Sequence, residues 1–161
     1  MSDQPPESAL TKSRRHLPHW ELVGSTYFVT WRCVRGFVLD PADRDLVIAN
    51  LEHWDGTRYL LFAATVMPDH VHVLLKPLAG PAGTHRLRDI VRTAKAYSAR
   101  RVNERRHRRG SVWQDERRDR IIRGQREFVA TWNYIRQNAV DRGLVCGAHE
   151  YRWLVEKRTE Q

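Results

Sequence analysis

Two strand-like runs stand three residues apart in this chain. Arg58 to Val66 and His70 to Leu75 are rich in β-branched, aromatic and aliphatic side chains, and only Met67-Pro68-Asp69 lies between them. A parallel pair needs a crossover of about a dozen residues or more. The two runs therefore pair as an antiparallel hairpin, and the other elements must be arranged around it.

Upstream, Thr26 to Val34 reads as a strand, punctuated by Gly36 and Pro41. Ala42 to Trp54 carries Leu46, Val47, Leu51 and Trp54 at helical spacing. Downstream, Thr84 to Arg106 is a second helix with Leu87, Ile90, Val91, Ala94 and Tyr97 or Ser98 on one face. Val112 to Ile122 is a fourth strand, and Gln125 to about Asn138 a third helix. Right-handed crossovers turn this β-α-β-β-α-β-α order into an α+β, ferredoxin-like sandwich. Its four-stranded antiparallel sheet gains a C-terminal helix. With 161 residues, of which 41% are hydrophobic, the chain suits one domain and one core. Residues 1–20, with Pro5, Pro6 and Pro18, read as an N-terminal arm, and 21–161 as the domain. No apolar run approaches the ~20 residues that span a bilayer, so a soluble, cytoplasmic protein is expected. Cys33 and Cys146 lack the spacing of a disulfide framework or a thiolate zinc site.

Charge points to a partner. The formal net charge is +9, and it is concentrated. From Arg86 to Arg126 there are fourteen arginines and Lys95 against five acids, an excess of 15 − 5 = +10. A polyanion is the expected partner. Arg92, Lys95, Arg100, Arg105, Arg106, Arg108 and Arg109 are the candidate phosphate contacts, with Arg14 and Arg15 in the arm. Trp113, Trp20 and Trp31 are candidates to stack on unpaired bases, although the strand context of Trp31 favours the core.

Chemistry is carried by two short patterns. In a strand, His70 and His72 share one face, with Cα atoms ~6.5 Å apart, close enough for two imidazoles to meet one metal ion. Two partly exposed histidines on a sheet face would show the same spacing. On the third helix, Tyr134 and Asn138 are four residues apart and lie nearly above one another. At ~100° per residue, Tyr134 falls roughly 130° and Asn138 roughly 90° from the centre of the Phe128, Trp132, Ile135, Ala139 stripe. Tyr134 is thus no obvious core aromatic. A phenol ionises near pH 10, so a tyrosine nucleophile needs a nearby cation. Two histidines and the amide oxygen of Asn138 would hold one, and attack by tyrosine conserves the phosphodiester energy in a covalent intermediate.

These residues occur in a recognisable order. Arg15-His16-Leu17-Pro18-His19-Trp20, Tyr27-Phe28-Val29-Thr30-Trp31 and Met67-Pro68-Asp69-His70-Val71-His72 come first. Val112-Trp113-Gln114, Ile121-Ile122-Arg123, Tyr134-Ile135-Arg136-Gln137-Asn138 and Tyr151-Arg152-Trp153 follow. From about residue 15 to 153 the chain resembles the HUH single-tyrosine transposases of the IS200-like type, and among them the REP-associated tyrosine transposases. The resemblance implies a ferredoxin-like fold, Mg²⁺ or Mn²⁺ as cofactor, and cleavage of hairpin-containing single-stranded DNA. That cleavage would leave a 5′-phosphotyrosine and a free 3′-OH. It assigns Tyr134 as nucleophile and His70, His72 and Asn138 as metal ligands. It also implies a bacterial, nucleoid-associated protein acting as a monomer or homodimer. Two departures stand out: Asn138 is followed by Ala139 where the family usually has proline, and Arg117-Arg118 replace aromatic residues after Trp113-Gln114.

Two other readings share these residues. A binding module on the same fold would take up nucleic acid without forming an adduct. A hydrolase that activates water would need a general base, and no carboxylate has an obvious general-base spacing from the histidines. Asp69 suits a turn hydrogen bond or a water-mediated metal contact.

Overall fold

The computed structural model describes residues 11, 12 and 20–157. One antiparallel sheet is built from β1 (Thr26–Cys33), β2 (Tyr59–Val66), β3 (His70–Pro77), β4 (Trp113–Ile122) and β5 (Leu154–Glu156). Their spatial order is β4-β1-β3-β2-β5. Among the described residues, three α-helices accompany it: α1 (Pro41–His53), α2 (Leu87–Arg105) and α3 (Gly124–Asp141). The α+β sandwich expected from the element order is the observed one, and β5 extends the four-stranded sheet to five strands. Three residues of β5 pair with Ala63, Ala64 and Thr65 of β2. Among the described residues, no helix is long and apolar enough to cross a membrane.

Strand alternation divides the protein into layers. Tyr27, Val29 and Trp31 of β1, with Val71 and Val73 of β3, pack under α1 and α2 in the larger core. Their neighbours point the other way, where Leu74, Ala63, Ile122 and Phe28 meet Ile135, Phe128 and Trp132 of α3. Leu61 of β2 stands opposite Leu75, whereas Ala63 stands opposite Leu74. Phe62 is the extra residue of a bulge, and it reverses the parity of the strand. Tyr59 and Leu61 therefore belong to the first layer and Ala63 to the second.

Local signals set the helix ends. Asp40 caps α1 in a capping box with Asp43, and Pro41 follows the cap. The fully buried Asp43 carboxylate also accepts from Arg105 Nε at 3.0 Å and Nη2 at 2.8 Å, and it pairs with Arg106. The end of α2 is thereby tied to the start of α1. Helix α2 begins at Leu87 rather than Thr84, because Gly83–Thr84 forms a short ladder with Ala79–Gly80. Without a proline after Asn138, α3 continues to Asp141, and Ala139 is buried with Met67 and Tyr151. Tyr151 donates its hydroxyl to the carbonyl of Val66 at 2.7 Å and so fastens the C-terminal segment to the end of β2.

Candidate active site

His70 and His72 leave β3 on the α3 side, since Val71 and Val73 occupy the other face. Both imidazoles are buried, and their ring centroids are 4.6 Å apart. His70 Nδ1 donates to Asp69 Oδ1 at 2.6 Å, which leaves a lone pair on Nε2. Thr30, the cross-strand partner of His72, places Oγ1 2.7 Å from His72 Nδ1. With Nδ1–H donating to that hydroxyl, His72 also keeps a lone pair on Nε2.

Electrostatics favour the neutral rings. Burial lowers the pKa of His70, and the hydrogen bond and charge of Asp69 only partly oppose it. His72 is pushed down to about 3, first by burial and then by His70, Arg32 and Arg142. Burial alone would raise the Asp69 carboxyl. The His70 hydrogen bond and the nearby cations outweigh it and hold the group below its usual range. At neutral pH the pair presents uncharged imidazoles, the form that ligates metal.

Helix α3 brings up the other two residues. Tyr134 is 48% exposed at the rim of the helix, with its ring centroid 5.3 Å from that of His72 in the same chain. Phe28 braces both rings: it stacks on His72 at 5.4 Å and meets Tyr134 edge-on at 5.9 Å. Asn138, one turn further on, is buried. It lies inside although it stands at about 90° from the stripe, and its neighbour Ala139 packs with Tyr151 and Met67.

A divalent cation would find compatible donors here. His70 Nε2 and Asn138 Oδ1 are buried lone-pair atoms without a hydrogen-bond partner. An unfilled buried acceptor costs about 1–3 kcal/mol. Among the described residues, no three His, Cys, Asp or Glu side chains converge on a possible ion.

The predicted basic residues fall elsewhere. Helix α2 covers the sheet face opposite Tyr134. Arg105 and Arg106 are engaged with Asp40 and Asp43, and Lys95 Nζ donates to the carbonyls of Gln114 and Asp115 at 2.6 and 3.1 Å. Arg92 pairs with Asp89 at 3.1 Å, and Arg100 with Glu104 at 3.8 Å. Arg108 Nη1 donates to Asn103 Oδ1 at 2.7 Å. Arg109 borders a hollow with Arg100 and His107 at the end of α2. Arg14 and Arg15 lie outside the described residues, as does most of the expected arm. Trp113 is buried and donates Nε1–H to Ser98 Oγ at 3.0 Å, so it is a core residue and not a stacking platform; Trp31 is buried as well.

The sequence reading missed the cations on the tyrosine's own face. A groove of about 590 Å³ runs between the sheet and α3, bordered by His72, Tyr134, Arg32, Arg118 and Arg120. Strand parity was the signal available: Thr30 and Arg32, and likewise Arg118 and Arg120, alternate with residues of the opposite core. Thr30 could have been found in the same way as the residue facing His72.

Comparisons with known proteins follow this geometry. The family model described as "Transposase IS200 like" matches residues 29–138. A solved REP-associated tyrosine transposase, bound to a REP hairpin, is 18% identical and superposes with a TM-score of 0.70 over 89% of this chain and 81% of that chain. A crystal structure from Deinococcus radiodurans, provisionally assigned as a transposase, is 24% identical with a TM-score of 0.47, covering 82% of this chain and 97% of its own. No curated protein is significantly similar in sequence.

Proposed function

The chain belongs to the IS200-like transposase family, and from that premise we propose that it nicks and rejoins single-stranded DNA through Tyr134. The observation that carries the proposal is the pairing of two opposites on one helix. Tyr134 is exposed beside His72, while Asn138, one turn away, is buried with an unpartnered oxygen, just as His70 has an unpartnered Nε2 nitrogen. His70, His72 and Asn138 would hold Mg²⁺ or Mn²⁺, which neutralises charge developing on a phosphate and orients it.

Tyr134 Oη then attacks the scissile phosphorus. The bond to the 3′ oxygen breaks, that oxygen takes a proton and leaves as a 3′-OH, and the 5′-phosphate remains on Tyr134. The phenolic proton has a direct path to water because the side chain is half exposed. Attack by a 3′-OH on the phosphotyrosine reverses the step and releases Tyr134 with its proton restored. Asp69 and Thr30 act earlier, by fixing the two imidazole rings through their Nδ1 atoms. Phe28 keeps the His72 and Tyr134 rings in register.

The substrate we propose is a single strand carrying a hairpin, the kind of element bound by the REP-associated relative of the same fold. Exposed arginines of α2 and its following turn, Arg92, Arg100 and Arg109 among them, offer a polyanion surface on the far side of the sheet for the rest of such a molecule. A labelled hairpin oligonucleotide from DNA flanking the gene, incubated with Mn²⁺ or EDTA and run on a denaturing gel, tests the chemistry. Wild type is expected to form a covalent adduct only with metal, and Tyr134→Phe to form none. Tight binding without any adduct would replace this reading with a non-catalytic binding module.

A further inference from the structure

The tyrosine's groove carries its own row of cations, supplied by β4 rather than by the arginine-rich helix. Register puts Arg118 opposite Thr30, which in turn faces His72, so the three share one row across three strands. Arg120 stands opposite Phe28 in the next row on the same face. Both arginines are exposed and border the groove with Tyr134. Among the described residues, no carboxylate pairs with the Arg118 guanidinium. Arg120 is aimed: its Nη2 donates to Thr131 Oγ1 at 3.2 Å, its Nε pairs with Glu127 Oε1 at 3.5 Å, and its guanidinium lies over the Phe28 ring at 5.6 Å. Arg32, opposite His70, adds a third positive charge at the end of the groove nearest Asp69.

We propose that Arg118 and Arg120 form a phosphate track that aligns a single DNA strand along β4 beside Tyr134. The inference rests on the reading above and adds which residues grip the strand being cut. Two residues apart on a strand, the two Cα atoms are about 6.7 Å from each other, roughly twice the 3.4 Å axial rise of a stacked DNA strand. The pair thus spans the rise of about two stacked nucleotides, or of fewer where the strand is extended. Arg118 and Arg120 are positioning residues for the neighbouring phosphates, whereas the phosphorus under attack lies at Tyr134. Arg117, by contrast, is buried on the opposite face and bound to Asp119 at 2.8 Å, so only alternate arginines of the run reach the groove.

The test uses a short, fluorescein-labelled single strand without a hairpin, with anisotropy measured across a salt series. Each phosphate contact contributes a slope of about −0.7 in log affinity against log salt. Arg118→Gln with Arg120→Gln should reduce the slope by about 1.4, so that the affinity lost between 50 and 200 mM salt becomes about sevenfold smaller. Arg118→Lys with Arg120→Lys, which keeps the charge, should retain the wild-type slope. A wild-type slope in the glutamine pair, or no wild-type binding, would overturn the track. The adduct assay run in parallel separates the two ideas. An adduct with an unchanged slope defeats the track alone, and a reduced slope without an adduct defeats the tyrosine chemistry alone.

Discussion

Replacing Asp69 by Asn probes the proposed metal site from just outside its donors. In wild type the carboxylate accepts from His70 Nδ1 at 2.6 Å and thereby keeps the lone pair on Nε2. An asparagine either accepts more weakly through its carbonyl or donates its amide hydrogen, in which case His70 carries its proton on Nε2 and cannot ligate. Loss of such an orienting partner typically weakens metal binding by about 10–100-fold. Removing the charge also leaves Arg32 and Arg142 unopposed beside the pair, which favours a larger loss. Solvent screening of the half-exposed carboxylate favours a smaller one. About thirtyfold is the expected middle. At Mn²⁺ one hundred times the wild-type Kd, wild type gains about 2.7 kcal/mol, and a thirtyfold weaker variant about 0.9 kcal/mol. For a chain of this size each kcal/mol moves the melting temperature by about 2–4 °C. Thermal unfolding should thus show a Mn²⁺-induced rise of about 5–11 °C for wild type and about 2–4 °C for Asp69→Asn. An equal rise in both proteins would refute the orienting role, and no rise in wild type would refute the donor set itself.

Other consequences can be checked with the same protein. The folded pKa of His72, about 3, lies below the ordinary histidine value of 6.5. Its contribution to stability is therefore complete above pH 6.5 and is lost as pH falls toward 3; urea unfolding of the metal-free protein should weaken with a limiting slope of about 1.4 kcal/mol per pH unit for this group. His72→Gln should flatten that dependence, and an unaltered pH profile in the variant would contradict it. Thr30→Val should strand His72 Nδ1 in a buried position at a cost of about 1–3 kcal/mol, read from denaturant midpoints. Ile135→Ala opens a cavity beneath α3, where the side chain is fully buried, and should cost about 2–5 kcal/mol. Adduct formation should fall with it, because the same helix carries Tyr134; a fully stable variant would mean that α3 is not anchored through this residue.

The placement of the candidate residues was legible because each depends on the periodicity of its own element. Period two puts His70 and His72 on one side of β3 whatever surrounds that strand. Period 3.6 takes Tyr134 off the Phe128–Ile135 stripe and leaves it at the rim. The three-residue link at Met67-Pro68-Asp69 dictated the hairpin, and the β-branched and aromatic runs marked the four longer strands.

What remained hidden depends on partners far away in the chain. Strand β5 is too short to signal itself and exists through pairing with Ala63–Thr65. The Phe62 bulge is a mismatch between two strands, so neither strand alone records it. Arg105 and Arg106 resemble free phosphate contacts until α1 brings Asp40 and Asp43 beneath them. Arg118 joins the groove only because β4 pairs with β1, and β1 with β3. The sequence alone determined which way each side chain points from its own backbone, since that direction follows from local geometry. Tertiary structure decided which of those faces meet, because strand register and helix docking are set by burial between segments dozens of residues apart.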